Sequence, residues 1–168
     1  FKQKTAYEIM PSLVGSEMCI RDRYQGKKTA KELAKEGIKV TTMIDAAAMQ
    51  EIKKADIMLI GCDAILSDGS IINKIGSNMF AKIAHDINKP VYILSDSWKF
   101  SLKEVKIEER DFKEIWKKPP QNVKVKNPAF ERVKAKYITA IISELGILTP
   151  KRFIKKVKKT YSNLFKNV

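Results

Sequence analysis

Residues 56–64 read Asp-Ile-Met-Leu-Ile-Gly-Cys-Asp-Ala, and this stretch decides the fold class of the chain. From Ile57 to Gly61 the run is apolar, without the polar alternation of a half-exposed strand. Such a run is typical of a strand buried on both faces of a parallel sheet. It therefore predicts a buried parallel strand, with Asp63 just beyond its carboxyl end.

Helix and strand patterns alternate on both sides of this strand. The residue types predict further strands at residues 38–44 and 90–95. Helical spacing of apolar residues predicts helices at residues 27–35, 46–54 and 76–88. Asp45 is the expected N-cap of the second helix, and Ser67-Asp68-Gly69-Ser70 is the expected turn. The alternation indicates an α/β fold with a mainly parallel sheet.

The C-terminal third predicts a surface excursion, a strand and a last helix. Residues 102–128 are charged and contain Lys118-Pro119-Pro120, whereas residues 138–145 are apolar and β-branched. Thr149 and Pro150 open a helix at residues 151–165. Its lysines lie on one face, and its other face carries a stripe of Phe153, Ile154, Val157, Tyr161 and Leu164. This helix could contact RNA or a membrane, but packing of the stripe on the core is favoured.

The chain is basic, with a net charge of +14 over 168 residues. Such a charge suits nucleic acid, a membrane surface or anionic metabolites. The basic residues are spread along the chain and no aromatic-interleaved nucleic-acid motif is present, so we expect no specific nucleic acid and no membrane partner. The apolar runs are far shorter than the roughly 20 residues of a membrane span.

Residues 1–23 are predicted not to be native protein. Residues 2–9 and 13–22 resemble translated sequencing-adapter oligonucleotides in one reading frame, joined by a gap the length of a sample index. Such segments are excluded from fold reasoning. Residues 24–168 are then expected to form one domain whose single cysteine, Cys62, allows no internal disulfide. A cytoplasmic location is the default for such a chain.

The residues around the central strand predict a ligand site. Ligands of open α/β sheets bind at the carboxyl ends of the strands, where Asp63 lies. Asn73 and Lys74 precede a helix that starts near Gly76, and free N–H groups at a helix start attract phosphate. A carboxylate able to exchange protons opposite a phosphate-binding lysine suits sugar-phosphate chemistry. A purely structural interpretation is equally open, in which Asp63 caps a turn, Asn73 forms a turn and Lys74 is a surface charge.

The chain resembles the C-terminal domain of the initiation factor 2B α/β/δ family. The resemblance covers residues 24 to about 153, with its motifs in order and correctly spaced. The motifs are Gln25-Gly26-Lys27-Lys28-Thr29-Ala30, Gly37-Ile38-Lys39-Val40-Thr41, Ile44-Asp45-Ala46-Ala47, Gly61-Cys62-Asp63-Ala64, Asn73-Lys74-Ile75-Gly76, Lys99-Phe100, Asn127-Pro128-Ala129-Phe130 and Glu144-Leu145-Gly146-Ile147-Leu148-Thr149-Pro150. It implies a Rossmann-like three-layer α/β domain with a mainly parallel sheet whose first strand is missing, and an absent N-terminal helical domain.

The resemblance also implies roles for individual residues. By similarity to archaeal ribose-1,5-bisphosphate isomerases, Asp63 is the catalytic proton donor, and the substrate-binding residues are Asn73, Lys74 and Lys99. The implied reaction converts ribose 1,5-bisphosphate to ribulose 1,5-bisphosphate without a cofactor or a metal. The implied partners are a phosphorylated sugar and further copies of the chain. The resemblance implies dimerisation through this domain and allows larger oligomers.

Three departures from the family pattern leave alternatives open. The usual Thr-Pro-Pro is replaced by Arg132-Val133-Lys134-Ala135, and the family's catalytic cysteine belongs to the N-terminal domain. Cys62 stands where the family has alanine, which indicates a small buried residue. The alternative is a translation initiation factor 2B regulatory subunit that binds initiation factor 2. In either case the fragment alone is expected to be inactive.

Overall fold

The computed structural model describes residues 12–16 and 25–165. The chain divides after Ala55 into two compact units. The elements of the first unit are β1 (Ser12–Ser16), α1 (Gln25–Lys35), β2 (Lys39–Met43) and α2 (Asp45–Ile52). Those of the second unit are β3 (Met58–Gly61), β4 (Ala64–Leu66), β5 (Ile71–Lys74), α3 (Ser77–Asp86), β6 (Val91–Leu94), β7 (Phe100–Ser101), β8 (Phe130–Val133), β9 (Ala140–Ser143), β10 (Gly146–Leu148) and α4 (Pro150–Thr160).

The first unit contains a parallel pair of strands and two helices. The expected elements at residues 27–35, 38–44 and 46–54 are confirmed within a few residues. Asp45, however, is the first residue of α2 and not its N-cap, because Ile44 takes the cap position in an extended conformation. An acidic residue in the first turn still interacts favourably with the helix dipole.

The structure contains a strand before the first helix, where the sequence predicted that one was missing. β1 runs parallel to β2 in register from Ser12 with Lys39 to Ser16 with Met43. These five residues belong to the segment 1–23, whose non-native origin remains a prediction. The hydrogen bonds of a parallel ladder are formed by backbone groups, so this pairing does not test whether the sequence of the segment is native.

The second unit begins with a four-stranded sheet in the order β10-β9-β6-β3. β3, β6 and β9 are parallel, and β10 pairs antiparallel with β9. The parallel strand predicted at residues 56–61 is thus confirmed as β3. The expectation that this strand is buried on both faces is wrong, because Met58, Leu59 and Ile60 are half-buried. β3 is the last strand in the order of this sheet.

A second four-stranded sheet in the order β7-β4-β5-β8 carries antiparallel pairs. β4 and β5 form a hairpin around the turn predicted at residues 67–70, and β5 also pairs antiparallel with β8. The fold is therefore α/β with mixed sheets. Long-range pairing of residues 71–74 with residues 130–133 produces this second sheet, and local patterns do not encode it.

The core of the second unit is aliphatic, and α4 completes it. Ile65, Ile71, Ile93 and Ile141 are completely buried. Phe153 on α4 is buried as well, so the stripe of the last helix packs on the core as favoured from its sequence. Within residues 12–16 and 25–165, no helix combines the length and the apolar character needed to cross a membrane.

The predicted surface excursion at residues 102–128 is confirmed as mostly exposed, and residues 108–111 within it bond to residues 127–129. The Arg110 N–H donates to the Asn127 carbonyl at 2.9 Å, and Asn127 Nδ2 donates to the Asp111 carbonyl at 2.8 Å. The Ala129 N–H donates to the Glu108 carbonyl at 3.0 Å. Because Asn127 is buried, these bonds fix the segment around Glu108 against β8.

The tight turn at Gly69 yields a stability prediction. Gly69 has a φ of +85°, and an added Cβ would lie 2.8 Å from the Pro150 Cβ. We expect Gly69→Ala to lower the free energy of unfolding by about 2–3 kcal/mol, through the left-handed backbone and the overlap together. Gly146→Ala is the matched control, because its φ is +104° and nothing lies within 4 Å. Urea unfolding that gives equal losses for the two variants would contradict the overlap.

Candidate functional site

Asp63 lies just beyond β3 and beside the end of β5. Its N–H donates to the Ile72 carbonyl at 2.8 Å, which places Asp63 next to the residue that precedes Asn73. The residue is exposed and lines an open cleft. The structure thus brings Asp63 and Asn73 together, although nine residues of hairpin separate them in sequence.

Lys99 lies on the same side of this strand end. Its Nζ donates to the Cys62 carbonyl at 2.7 Å, so the ammonium group is held at the peptide that precedes Asp63. Lys99 ends a 3₁₀ turn at Ser97–Lys99. The Ser97 N–H donates to both carboxylate oxygens of Glu144 at 3.1 Å, and hydrogen bonding from Ser97 lowers the pKa of the Glu144 carboxyl. Glu144 therefore anchors the turn that carries Lys99.

Asn73 and Lys74 end β5 and are tied into the turn before α3. Asn73 Nδ2 donates to the Ser77 hydroxyl at 2.9 Å, and that hydroxyl donates to the Lys74 carbonyl at 2.7 Å. Lys74 Nζ lies 5.1 Å from the centre of the Phe130 ring, which is within the range of a cation–π contact. Asn73 and Lys74 are both half-buried, so their side chains have a restricted set of orientations.

Two of the amides at the amino end of α3, where the sequence suggested free N–H groups, are already bonded to a side chain of the protein. Glu131 Oε1 accepts hydrogen bonds from the Gly76 N–H at 2.6 Å and from the Asn78 N–H at 2.8 Å. A carboxylate of the protein therefore occupies the position expected for a phosphate. The sequence reasoning missed this residue because Glu131 reaches the helix only through the pairing of β8 with β5.

A cleft of about 150 Å³ opens in front of Asp63. Its wall consists of Asp63, Ala64, Ile72, Val105, Lys106, Glu108 and Phe130. Lys106 and Glu108 belong to the surface excursion, and the sequence analysis did not single them out. The two-residue alternation of Val105-Lys106-Ile107-Glu108 gave no reliable signal, because Val105 and Lys106 both line the cleft.

Cys62 has the structural role expected of it. It is buried with 4% exposure, and its Sγ lies 3.1 Å from the Ser95 hydroxyl. Burial raises the pKa of the Cys62 thiol, while the Ser95 hydrogen bond and Lys99 act in the opposite direction with less effect. A thiol with a raised pKa is a poor nucleophile. Among the described residues, no group of three or more His, Cys, Asp or Glu could hold a metal ion.

The fold and this strand end define an α/β domain in which Asp63 lines a cleft and the Lys99 ammonium group is held at the neighbouring peptide. The chain belongs to the initiation factor 2 subunit family, whose family model matches residues 20–150. This membership bears out the family to which the motifs pointed.

Curated relatives of the chain include archaeal isomerases. Ribose 1,5-bisphosphate isomerase of Methanocaldococcus jannaschii is 38% identical over 154 residues, covering 88% of this chain and 50% of the relative. The protein of the same name from Pyrococcus furiosus is 37% identical over 156 residues, covering 87% and 48%. The chain thus spans about half the length of the curated relatives it matches.

Solved structures that are similar to this chain include a translation initiation factor and an isomerase. A translation initiation factor eIF-2B from Pyrococcus horikoshii matches with a TM-score of 0.72 and 32% identity, covering 85% of this chain and 50% of that one. The 5-methylthioribose 1-phosphate isomerase of the same organism matches with a TM-score of 0.76 and 28% identity, covering 89% and 46%. These similarities agree with the observed fold.

Proposed function

We propose that this chain is the C-terminal part of a sugar-phosphate isomerase that converts ribose 1,5-bisphosphate to ribulose 1,5-bisphosphate. One observation carries the proposal: Asp63 opens onto a cleft at the strand end where Lys99 is also held. Similarity to isomerases of that name over most of the chain supports it. In this proposal Asp63 is the catalytic residue, and Asn73, Lys74 and Lys99 bind substrate.

The reaction needs little beyond positioned proton donors and acceptors. An aldose-to-ketose isomerisation moves a hydrogen from C2 to C1 and consumes no external reagent. A carboxyl group that gives up and regains a proton can serve as its general acid. We propose that Asp63 fills this role, and that an N-terminal helical domain of a longer parent protein contributes the second group. Residues 24–168 alone are then expected to bind ligand without turnover.

A bisphosphate requires at least two cationic contacts, and the structure adds a third lysine to the two proposed from sequence. Lys106 lines the same cleft as Asp63, and Lys74 Nζ lies 5.1 Å from the centre of the Phe130 ring, which also lines it. Lysine binds phosphate as a compact charge that can be brought in by a flexible stem. We therefore add Lys106 to the proposed phosphate contacts.

The role of Lys106 can be tested by substitution. We expect Lys106→Ala to weaken the binding of ribulose 1,5-bisphosphate to the 168-residue chain by about 10- to 100-fold, because a charge-assisted contact is lost. Lys103→Ala is the control: it removes the same charge from an exposed residue that does not line this cleft. Isothermal titration calorimetry gives both affinities. Equal weakening in the two variants would show that only net charge matters.

The activity is tested with the parent protein. Recovery of the native sequence upstream of Tyr24 permits expression of the longer protein and an assay of ribose 1,5-bisphosphate isomerisation by nuclear magnetic resonance. Formation of ribulose 1,5-bisphosphate is the expected result. A parent that does not isomerise this sugar but binds an initiation factor 2 subunit would overturn the proposal.

The alternative function is that of a regulatory subunit in translation initiation. Solved structures named as translation initiation factor eIF-2B match this chain at 32–33% identity, which favours it. Such a subunit would act through protein contacts, and we propose that this domain dimerises in either case. Exposed apolar side chains suited to such contacts include Trp98, Ile107, Trp116 and Ile147. A monomer in light scattering would contradict dimerisation.

A further inference from the structure

Glu131 joins β8 to the turn that carries the proposed substrate-binding pair. In the antiparallel pairing of β5 with β8, Glu131 stands directly opposite Asn73. From there its carboxylate accepts the Gly76 and Asn78 N–H groups at 2.6 and 2.8 Å. Ala129, which directly precedes β8, adds to this connection, because its carbonyl accepts a hydrogen bond from the Ile75 N–H at 3.0 Å.

Asn73 and Lys74 also bond to this turn, through the Ser77 hydroxyl. Asn73 Nδ2 bonds the Ser77 hydroxyl, which in turn bonds the Lys74 carbonyl. Ser77 lies between the two amides that Glu131 accepts, so movement of this helix start would move the partner of Asn73. A carboxylate at a helix start is also stabilised by the unpaired N–H groups and the helix dipole.

We propose that Glu131 is a positioning residue for Asn73 and Lys74, and that it keeps substrate phosphate away from the amino end of α3. This inference rests on the proposed function for the identity of the ligand. A carboxylate that already satisfies the Gly76 and Asn78 amides leaves them no hydrogen for an incoming phosphate, and its charge repels one. Phosphate is therefore directed to the lysine side chains, which the same turn and the Ser97–Lys99 turn hold in place.

Three variants of the 168-residue chain separate positioning from general stability. Glu131→Ala removes the acceptor, and Glu131→Gln keeps an oxygen that can accept both amides. Asp86→Ala removes the same charge from the other end of α3, where Asp86 pairs with Lys82. A thermal melt of each variant establishes that it is folded before the spectra are compared.

The first measurement needs no ligand. In ¹⁵N–¹H correlation spectra, Glu131→Ala is expected to shift the Asn73 side-chain amide and the Lys74 backbone amide, and to speed hydrogen exchange at Gly76 and Asn78 by about tenfold or more. Glu131→Gln is expected to restore the Asn73 and Lys74 signals to near their original positions. Shifts in Glu131→Ala no larger than those in Asp86→Ala, or a failure of Glu131→Gln to restore the signals, would overturn the positioning role.

The second measurement uses inorganic phosphate as the probe. In the unsubstituted chain, phosphate is expected to leave the Gly76 and Asn78 amide signals in place, whereas in Glu131→Ala it shifts them because the helix start is open. Phosphate-induced shifts at these two amides in the unsubstituted chain would overturn the exclusion. Both measurements are independent of turnover, so a parent protein that fails to isomerise ribose 1,5-bisphosphate would refute the proposed function and leave these results to decide the role of Glu131.

Discussion

Asp63→Asn is expected to reduce turnover of ribose 1,5-bisphosphate by the longer parent protein by about 10²- to 10⁴-fold, the range that general acid–base catalysis contributes. Asparagine keeps the shape of the side chain and can still donate a hydrogen bond. It cannot give up and regain a proton at neutral pH. The loss should therefore fall on kcat, while KM changes by about threefold or less.

The matched control is Asp56→Asn, at the opposite end of the same strand. Asp56 is an exposed acidic residue that precedes β3, so its substitution makes the same change in charge far from the cleft. We expect turnover to stay within about twofold of the original. Steady-state kinetics of both variants provide the comparison. If Asp63→Asn retains full turnover, Asp63 is not the proton donor, and the isomerase proposal loses the residue on which it depends.

The order of proposed site residues could be predicted from sequence because strand ends follow simple rules. An apolar run ends at Gly61, and the next polar side chain is Asp63, which therefore lies at the edge where ligands of α/β sheets bind. The helix pattern that starts near Gly76 placed Asn73 and Lys74 just before a helix, and the structure adds that they end strand β5. Lys99 came from the family resemblance, and its bond to the Cys62 carbonyl now gives a physical reason for its place near Asp63.

What the sequence could not provide was contact between distant segments. Glu131 accepts amide hydrogen bonds at the start of α3 only because β8 pairs with β5, which lies more than fifty residues earlier in the chain. Lys106 and Glu108 reach the cleft because the excursion is fixed at its base by Asn127 and by the bond to Ala129. These contacts depend on loop closure and on packing, for which local patterns carry no signal.

The proposed site is also more constrained than a row of surface lysines would be. Lys99 already donates to a backbone carbonyl, and Asn73 already donates to Ser77. Side chains held by such bonds lose less conformational entropy when a ligand binds. The Lys99 ammonium group has three N–H donors, so it can bind a phosphate oxygen while it keeps its bond to the Cys62 carbonyl.

The largest effect on stability is expected from Phe153→Ala, with a loss of about 3–5 kcal/mol in the free energy of unfolding. The Phe153 side chain is completely buried on the face of α4 that packs towards β9 and β10. Truncation removes its burial and leaves a cavity that the surrounding strands fill only partly. Natural domains are stable by only about 5–15 kcal/mol, so this single change removes a large share.

Arg152→Ala is the control for Phe153→Ala, because Arg152 is exposed on the neighbouring position of the same helix. Urea unfolding followed by circular dichroism should show a change of about 0.5 kcal/mol or less for Arg152→Ala. Phe153→Ala should also weaken the binding of ribulose 1,5-bisphosphate. Tyr161 follows α4, and its hydroxyl lies 3.0 Å from the hydroxyl of Ser97, which belongs to the turn that carries Lys99. Equal stability of the two variants would mean that α4 does not hold the core together. A Phe153→Ala chain that is destabilised yet keeps its affinity for ribulose 1,5-bisphosphate would separate the packing of α4 from the placement of Lys99.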